Sequence, residues 1–539
     1  MHNAKEQEYD LIVIGSGLGG LTTAALMAKL KKWRVLVLER HYVAGGFTHS
    51  FRRPGGYEWD VGVHYVGKMG PGHKERNLFN FITDGNLEWE RMPEPIDVLD
   101  YPGLRIPVYS SEKEQRKTLI KLFPHEAVAI KQYYKDMKTA EMWGVGSFIA
   151  ATLPKAFEKI TKLVLSRASK LGLMTTEEYL NHYITDPKLK SVLVSQWLAY
   201  GLPPSESAFG LHATVMRHYF DGGFFPKGGA GEIAKNIVKV IKRFGGDVRI
   251  NHDVTGIILS NGKAVGVNVS HRKKTKTIYA PAIVSDAGVQ TTFNKLLPKG
   301  MLTLQQEKAM QVKRTPSAVS LYLGLKDTPA SLGFRGENHW IFPGFDHEAH
   351  RDADDMAEGV ATAGHLSFPS LKDKRSKKHT AEFFSVVDFD HFNSWVGSRW
   401  KKRGKDYETV KADITASMLA LIEERNPGFT ALVDYTELST PLSVEHFLNH
   451  PKGAIYGLPG TPEKFQQEWL RAKSPVPNLY LTGADILCVG IMPALLTGAA
   501  TAGALTGAFG FLRVLLAAQK KQQPDNSQDM QEVEKVGVL

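Results

Sequence analysis

Residues 9–39 constrain this chain more than any other stretch. A short apolar run, Leu11-Ile12-Val13-Ile14, leads into Gly15-Ser16-Gly17-Leu18-Gly19-Gly20. A helix-like segment from Leu21 to Lys31 follows, then a second apolar run, Val35-Leu36-Val37-Leu38, that ends in Glu39. Strand, glycine turn, helix, strand and acid at this spacing predict a βαβ unit whose turn faces a dinucleotide. Gly15 permits the tight turn, Gly17 lets a pyrophosphate reach the backbone, and Gly20 lets the helix pack closely. The helix N-terminus offers free N–H groups and a favourable dipole to phosphate. Glu39 is placed to accept hydrogen bonds from a ribose hydroxyl.

Later segments extend the pattern. Arg40 follows the acid, and Ala44-Gly45-Gly46-Phe47 again lets backbone approach a flat or charged group. Phe224-Phe225-Pro226-Lys227-Gly228-Gly229-Ala230-Gly231-Glu232 opens a helix over Ile233 to Phe244. Asp253 to Leu259, the Asn261-Gly262 turn and Ala264 to Val269 read as a hairpin. Near the end, an apolar strand stops at Gly483-Ala484-Asp485, and Ile491-Met492-Pro493-Ala494 opens another helix. Asp485 taken alone reads as a helix cap; its place at the far end of a chain that opens with Gly15 favours the cofactor. Arg314 to Leu325 alternates at period two, and Phe383 to Asp388, Leu432 to Glu437 and Ser443 to Phe447 are further strand candidates.

Taken together, the glycine turn, the Glu39-Arg40 pair, Ala44-Gly45-Gly46 and the Asp60-x-Gly62-x-His64-Tyr65 segment resemble the amino-terminal flavin module of the carotenoid desaturase, carotenoid isomerase and retinol saturase group. The last segment looks closest to the saturase and isomerase branch. The resemblance implies an α/β fold of the monoamine oxidase and phytoene desaturase type: a Rossmann-type FAD-binding domain interleaved with an α+β substrate domain carrying a mixed or antiparallel sheet. It implies FAD rather than NAD. It puts Gly15, Gly17, Gly20, Glu39, Arg40, Gly45, Gly46 and Phe47 at the cofactor, with Val254 at the adenine. Gly483 and Asp485 would approach the pyrophosphate and ribityl chain, and the Met492 backbone the isoalloxazine edge. The expected boundaries are 1–70, 221–312 and 471–518 for the FAD-binding domain, 71–220 and 313–470 for the substrate domain, and 519–539 for a disordered tail.

A length of 539 residues is too long for one small core, and 42% hydrophobic with 23% charged residues fits a folded globular protein. The net charge of +11 suits an anionic ligand or membrane; no helix-turn-helix, zinc-finger or RNA-binding signature accompanies it, so no nucleic acid partner is expected. The lone Cys488 excludes an internal disulfide and fits a reducing, cytoplasmic setting, and Met1 to Asp10 has no secretory core. Ala499 to Ala518 reads as a buried helix rather than a membrane span. In Gly144 to Met174, apolar positions broken by Pro154 alternate with Lys155, Lys159, Lys162, Arg167 and Lys170. Such a segment either lies on an anionic bilayer, at its inner face, or packs on the core with a solvated lysine side.

Flavin carries hydride or single electrons, so the protein need not supply a nucleophile. No metal-ligand spacing and no Gly-x-Ser-x-Gly elbow is present. His64 and Tyr65 are the polar candidates for catalysis, His64 reading as a proton donor or as a satisfied core histidine. The expectation is an FAD-dependent oxidoreductase of the CH–CH group that saturates, desaturates or isomerises a long apolar polyene or lipid. Its electron donor or acceptor is not named by the sequence. Amine or porphyrinogen oxidation on the same fold, and a lipid-escort module without chemistry, are the alternatives.

Overall fold

The computed structural model describes residues 8–311, 317–348 and 363–520. The expected tail and the boundary at 312–313 lie wholly or largely outside them. Leu11–Ile14 and Val35–Leu38 are continuous apolar runs because both faces of their sheet are covered. They pair in parallel, Leu11 opposite Val35 through Ile14 opposite Leu38. The sheet has five strands in the order Asp247–Arg249, Val35–Leu38, Leu11–Ile14, Ile283–Ser285 and Leu479–Leu481. Every pairing in it is parallel.

Period two decides which residues meet which layer. Leu11, Val13, Val35 and Val37 pack with the helices Leu18–Lys31, Gly231–Arg243 and Ile491–Leu505. Ile12, Ile14, Leu36 and Leu38 face the other way, onto a three-stranded antiparallel meander of Asp253–Ser260, Lys263–His271 and Lys274–Tyr279.

A second sheet of seven strands runs Val433–Ser439, Ser317–Leu325, His379–Val387, Gly364–Ser367, Asn338–Ile341, Asp97–Tyr101, Leu104–Val108. It is mixed, since Asn338–Ile341 pairs in parallel with Asp97–Tyr101 while its other pairings are antiparallel. One face buries Val319, Leu321, Leu323 and Phe383 with Ile414, Met418 and Ile422 of the helix Lys405–Arg425. The opposite face carries Ser320, Tyr322, Glu382 and Phe384 toward the sheet of the glycine turn, where they line a cavity.

Two expectations change, and a segment left open between two readings has its apolar side uncovered. Ser443–Phe447 is not a strand but part of the helix Pro441–Leu448, started by proline in its first turn and a capping box between Thr440 and Ser443. The segment read as one buried helix is two, Ile491–Leu505 and Gly510–Lys520, bent by 119°. A Cβ on Gly503 would stand 2.3 Å from the Phe511 nitrogen, so glycine lets the second helix fold back tightly. The basic segment forms Lys155–Val164, with Pro154 at its start, and it sits the opposite way round to a core-facing helix. Phe157, Ile160, Leu163 and Val164 are 51, 61, 74 and 77% exposed. Its only acid, Glu158, is buried and held by Arg471 through both guanidinium NH groups. Among the described residues no single helix is long and apolar enough to cross a membrane.

Candidate active site

The glycine turn is shaped by contacts that leave no room for side chains. Gly15 has φ +93°, and a Cβ on Gly20 would stand 2.7 Å from the Gly15 carbonyl oxygen. A Cβ on Gly19 would stand 2.7 Å from the Gly483 nitrogen, so the first and last strands of the sheet converge here. Glu39 fixes the turn: its Oε2 accepts from the Ser16 N–H at 2.9 Å and the Ser16 hydroxyl at 2.6 Å, and its Oε1 from the His41 N–H at 2.7 Å. Ser16 Oγ in turn accepts from the Gly45 N–H at 3.1 Å, tying the second glycine cluster to the first.

These residues line a cavity of about 320 Å³. Gly15, Gly17, Glu39, Arg40, Gly45, Gly46, Phe47, Val254, Gly483 and Asp485 all face it. Gly20 stands behind the turn, and Met492 faces a second cavity instead, although its neighbours Gly490 and Ile491 line both. Asp485 is more than a cap. Its Oδ2 accepts from the Val289 N–H and its Oδ1 from the Leu458 N–H, each at 2.7 Å, so it ties two distant loops to the cavity wall.

The second cavity, about 710 Å³, is walled by Trp143, Phe148, Leu211, Tyr219, Trp340, Phe465 and Cys488. Burial pushes the Cys488 thiol up to about 11, which leaves it protonated and inert. Besides Gly490 and Ile491, the two cavities share Gly62, His64, Phe384 and Tyr456. His64 therefore stands at the junction, its ring stacked on Phe384 at 5.4 Å. Tyr65 faces only the second cavity, and its hydroxyl donates to Asp97 Oδ2 at 2.9 Å.

Around His64 lies a buried charged cluster. Glu382 Oε2 is 3.2 Å from His64 Nδ1, and that nitrogen makes no hydrogen bond among the described residues. Glu382 Oε1 accepts from the Asp60 N–H at 3.2 Å. Lys372 Nζ donates to the His64 carbonyl at 2.9 Å, to Ser367 Oγ at 2.6 Å and to Asn338 Oδ1. Asn338 and Gln196 both donate to Asp97. Burial raises Glu382 to about 8 against the opposing pull of Lys372. Burial also lowers Lys372 to about 7 and His64 to about 3, and raises Asp60 to about 7. Near neutral pH the imidazole is thus uncharged beside a protonated carboxyl.

Sequence reasoning missed Glu382, Lys372 and Asp286. A lone acid inside His379-Thr380-Ala381-Glu382-Phe383-Phe384, an otherwise buried strand, was the available signal for Glu382. Asp286 lies against the turn, its carboxyl oxygens 2.5–2.9 Å from where Cβ atoms on Gly17, Gly19, Gly20 and Gly483 would be. Burial raises Asp286 to about 7.

A glycine cradle with a buried acid at one end, opening onto an apolar cavity, defines a dinucleotide-dependent oxidoreductase. Residues 18–289 match the family described as flavin containing amine oxidoreductase. The chain is 32% identical to all-trans-retinol 13,14-reductase of Danio rerio, over 93% of this chain and 86% of that protein. It is 28% identical to chloroplastic prolycopene isomerase of Arabidopsis thaliana, over 85% of this chain and 76% of that one. Among solved structures it is similar to cyclohexylamine oxidase from Brevibacterium oxydans, with TM-score 0.57 and 18% identity, covering 93% of this chain and 100% of the other. The chain belongs to the flavin containing amine oxidoreductase family, in the group that holds the retinol 13,14-reductases and prolycopene isomerases. Its cofactor is FAD. The cradle fits that group, because side chains are excluded from the glycine turn and Glu39 closes the cavity at the strand end.

Proposed function

We propose that this chain reduces a carbon–carbon double bond of a retinoid- or carotenoid-like polyene. The observation that carries the reading is the apolar second cavity meeting the cofactor cavity at His64. FAD, when bound and reduced, supplies hydride chemistry. In this reading Gly15, Gly17, Gly45, Gly46, Gly483 and Asp485 hold the pyrophosphate side, Glu39 the ribose and Val254 the adenine. The aromatic wall binds the polyene and excludes water, His64 is the catalytic group at the reacting bond, and Tyr65 holds the wall through Asp97. The parallel sheet drawn from 1–70, 221–312 and 471–518 forms the FAD-binding domain, and 71–220 with 313–470 forms the substrate domain. Anaerobic incubation of the reduced protein with all-trans-retinol or a carotenoid in deuterated water tests the reading. The expected product is saturated at one bond and carries solvent deuterium. A deuterium-free rearranged isomer would overturn reduction in favour of isomerisation, and peroxide formed from an amine or porphyrinogen would favour an oxidase.

We also propose a route for substrate entry. Glu158 and Lys162 of the helix Lys155–Val164, Ser166 and Ser169 of the helix Ser166–Gly172, and Leu165 between them line the second cavity. The outer face there carries Phe157, Ile160, Leu163 and Val164, with Phe509, Leu512 and Leu516 exposed on the helix Gly510–Lys520 and the turn before it. Phe157 and Phe509 touch edge to face at 5.4 Å, so this is one patch. We propose that it rests on an anionic bilayer at the cavity mouth, with Lys155, Lys159 and Lys170 at the headgroups. Ile160→Asp with Leu163→Asp is expected to lower binding to anionic liposomes about 100-fold in flotation, from two buried side chains at about 1.5 kcal/mol each. Unchanged flotation would remove this patch as the anchor.

A further inference from the structure

We infer that Glu382 is the proton reservoir of this site, resupplying His64 when His64 gives a proton to the substrate carbon. The inference rests on the reduction reading above and adds the source of the proton. Saturating one double bond adds a hydride to one carbon and a proton to the other, while reduced flavin loses two electrons. The bond that breaks on the protein side is His64 Nε2–H, and the bond that forms is C–H. As Nε2 gives up its proton, Nδ1 takes the Glu382 proton, so His64 stays neutral as the other tautomer and Glu382 becomes carboxylate; the site resets when solvent returns a proton to Nε2 and Nδ1 hands its own back to Glu382. The imidazole need never carry two protons, which suits a fully buried ring.

Geometry is what singles out Glu382. It sits in the middle of the strand His379–Val387, on the face that turns to the cofactor cavity, with its Oε2 3.2 Å from a His64 nitrogen that has no bonded partner among the described residues. Its Oε1 is fixed by the Asp60 N–H. A carboxyl so placed has one job left for its second oxygen. The other groups that face it are Lys372 from the helix Pro369–Lys372, the Asp60 carboxyl from the strand Tyr57–Asp60, and Tyr322 directly across the sheet. Asp97 and His365 bear on the same cluster through Lys372. Lys372 Nζ is directed at the His64 carbonyl, Ser367 and Asn338, so its hydrogen bonds hold the histidine loop rather than reaching the imidazole.

The test is Glu382→Gln, which keeps the acceptor for Asp60 but has no acidic proton. Flavin content and the flavin absorption spectrum should match wild type, which reports that the fold and cofactor site are intact. Turnover of the polyene should fall about 100-fold, the lower end for loss of a positioned acid. Wild-type turnover should decline as pH rises through about 8, where the carboxyl loses its proton, and that decline should vanish in Glu382→Gln. Without substrate, infrared difference spectra of wild type between pH 7 and pH 9 should show loss of a protonated-carboxyl band that the variant lacks. Glu382→Asp should restore part of the pH decline. A variant that binds flavin normally, keeps wild-type turnover and keeps the same pH profile would overturn the inference. Failure of wild type to reduce any polyene would instead overturn the reading beneath it, and the infrared band would still report whether Glu382 holds the proton.

Discussion

Gly20→Val purifies without flavin. The valine Cβ would lie 2.7 Å from the Gly15 carbonyl oxygen, and that oxygen is backbone and cannot step aside without opening the turn. Opening the turn moves Ser16, whose amide and hydroxyl both end on Glu39, and through Ser16 Oγ it moves the Gly45 amide as well. One side chain therefore disturbs the pyrophosphate turn, the ribose acid and the second glycine cluster together. The expected loss in FAD affinity is about 100-fold, equivalent to about 3 kcal/mol. Flavin absorbance per protein after gel filtration reads it directly, and circular dichroism checks that the fold survives. Retention of stoichiometric flavin by a folded Gly20→Val would mean that the turn is not the cofactor's cradle.

Gly498→Leu acts from the opposite side and costs stability rather than cofactor alone. Gly498 lies in the helix Ile491–Leu505, where a Cβ would be 2.6 Å from the Gly19 carbonyl oxygen and 2.6 Å from the Thr22 Cβ. The two helices approach closely enough that Thr23 Oγ1 donates to both the Gly19 and Gly498 carbonyls, at 2.9 and 3.0 Å. A leucine there must push the helices apart, and overpacking of this kind costs about 3 kcal/mol or more. Separation also pulls Gly483 away from Gly19, because the Gly483 N–H is held by Thr497 of the same helix at 3.1 Å. A lowered denaturant midpoint, partly recovered by added FAD, is the expected result. Gly498→Ala should fall between the two, and a leucine variant as stable as wild type would show that the helices tolerate a wider spacing.

Local grammar explains which parts of the molecule were legible in the sequence. The first βαβ unit and the strand leading to Gly483 announce themselves because each is a continuous apolar run ending in a turn that only glycine can make. His64 was visible for its place after Asp60-x-Gly62. Glu382 and Lys372 were not, since they meet His64 only through sheet register: Glu382 lies opposite Tyr322 on one neighbour and Ser367 on the other. The glycines themselves carried a second meaning, making room for the Asp286 carboxyl from a strand more than 250 residues away in sequence as well as for phosphate. The Lys155–Val164 helix stayed open between two readings, because periodicity defines an apolar face without saying whether protein covers it.

The order of strands in the five-stranded sheet has a consequence for synthesis. Of three adjacent strands the central one, Leu11–Ile14, is made first, its neighbour Ile283–Ser285 later, and the closing strand Leu479–Leu481 last. At 5–20 residues per second the ribosome needs roughly 25–95 s to travel between the first and last of these. Until then one edge of the parallel sheet, first Leu11–Ile14 and then Ile283–Ser285, lacks its partner strand. The cofactor site is therefore completed only once Leu479–Leu481 has been made. Truncations anywhere before residue 481 should accumulate as aggregates rather than as flavin-binding fragments.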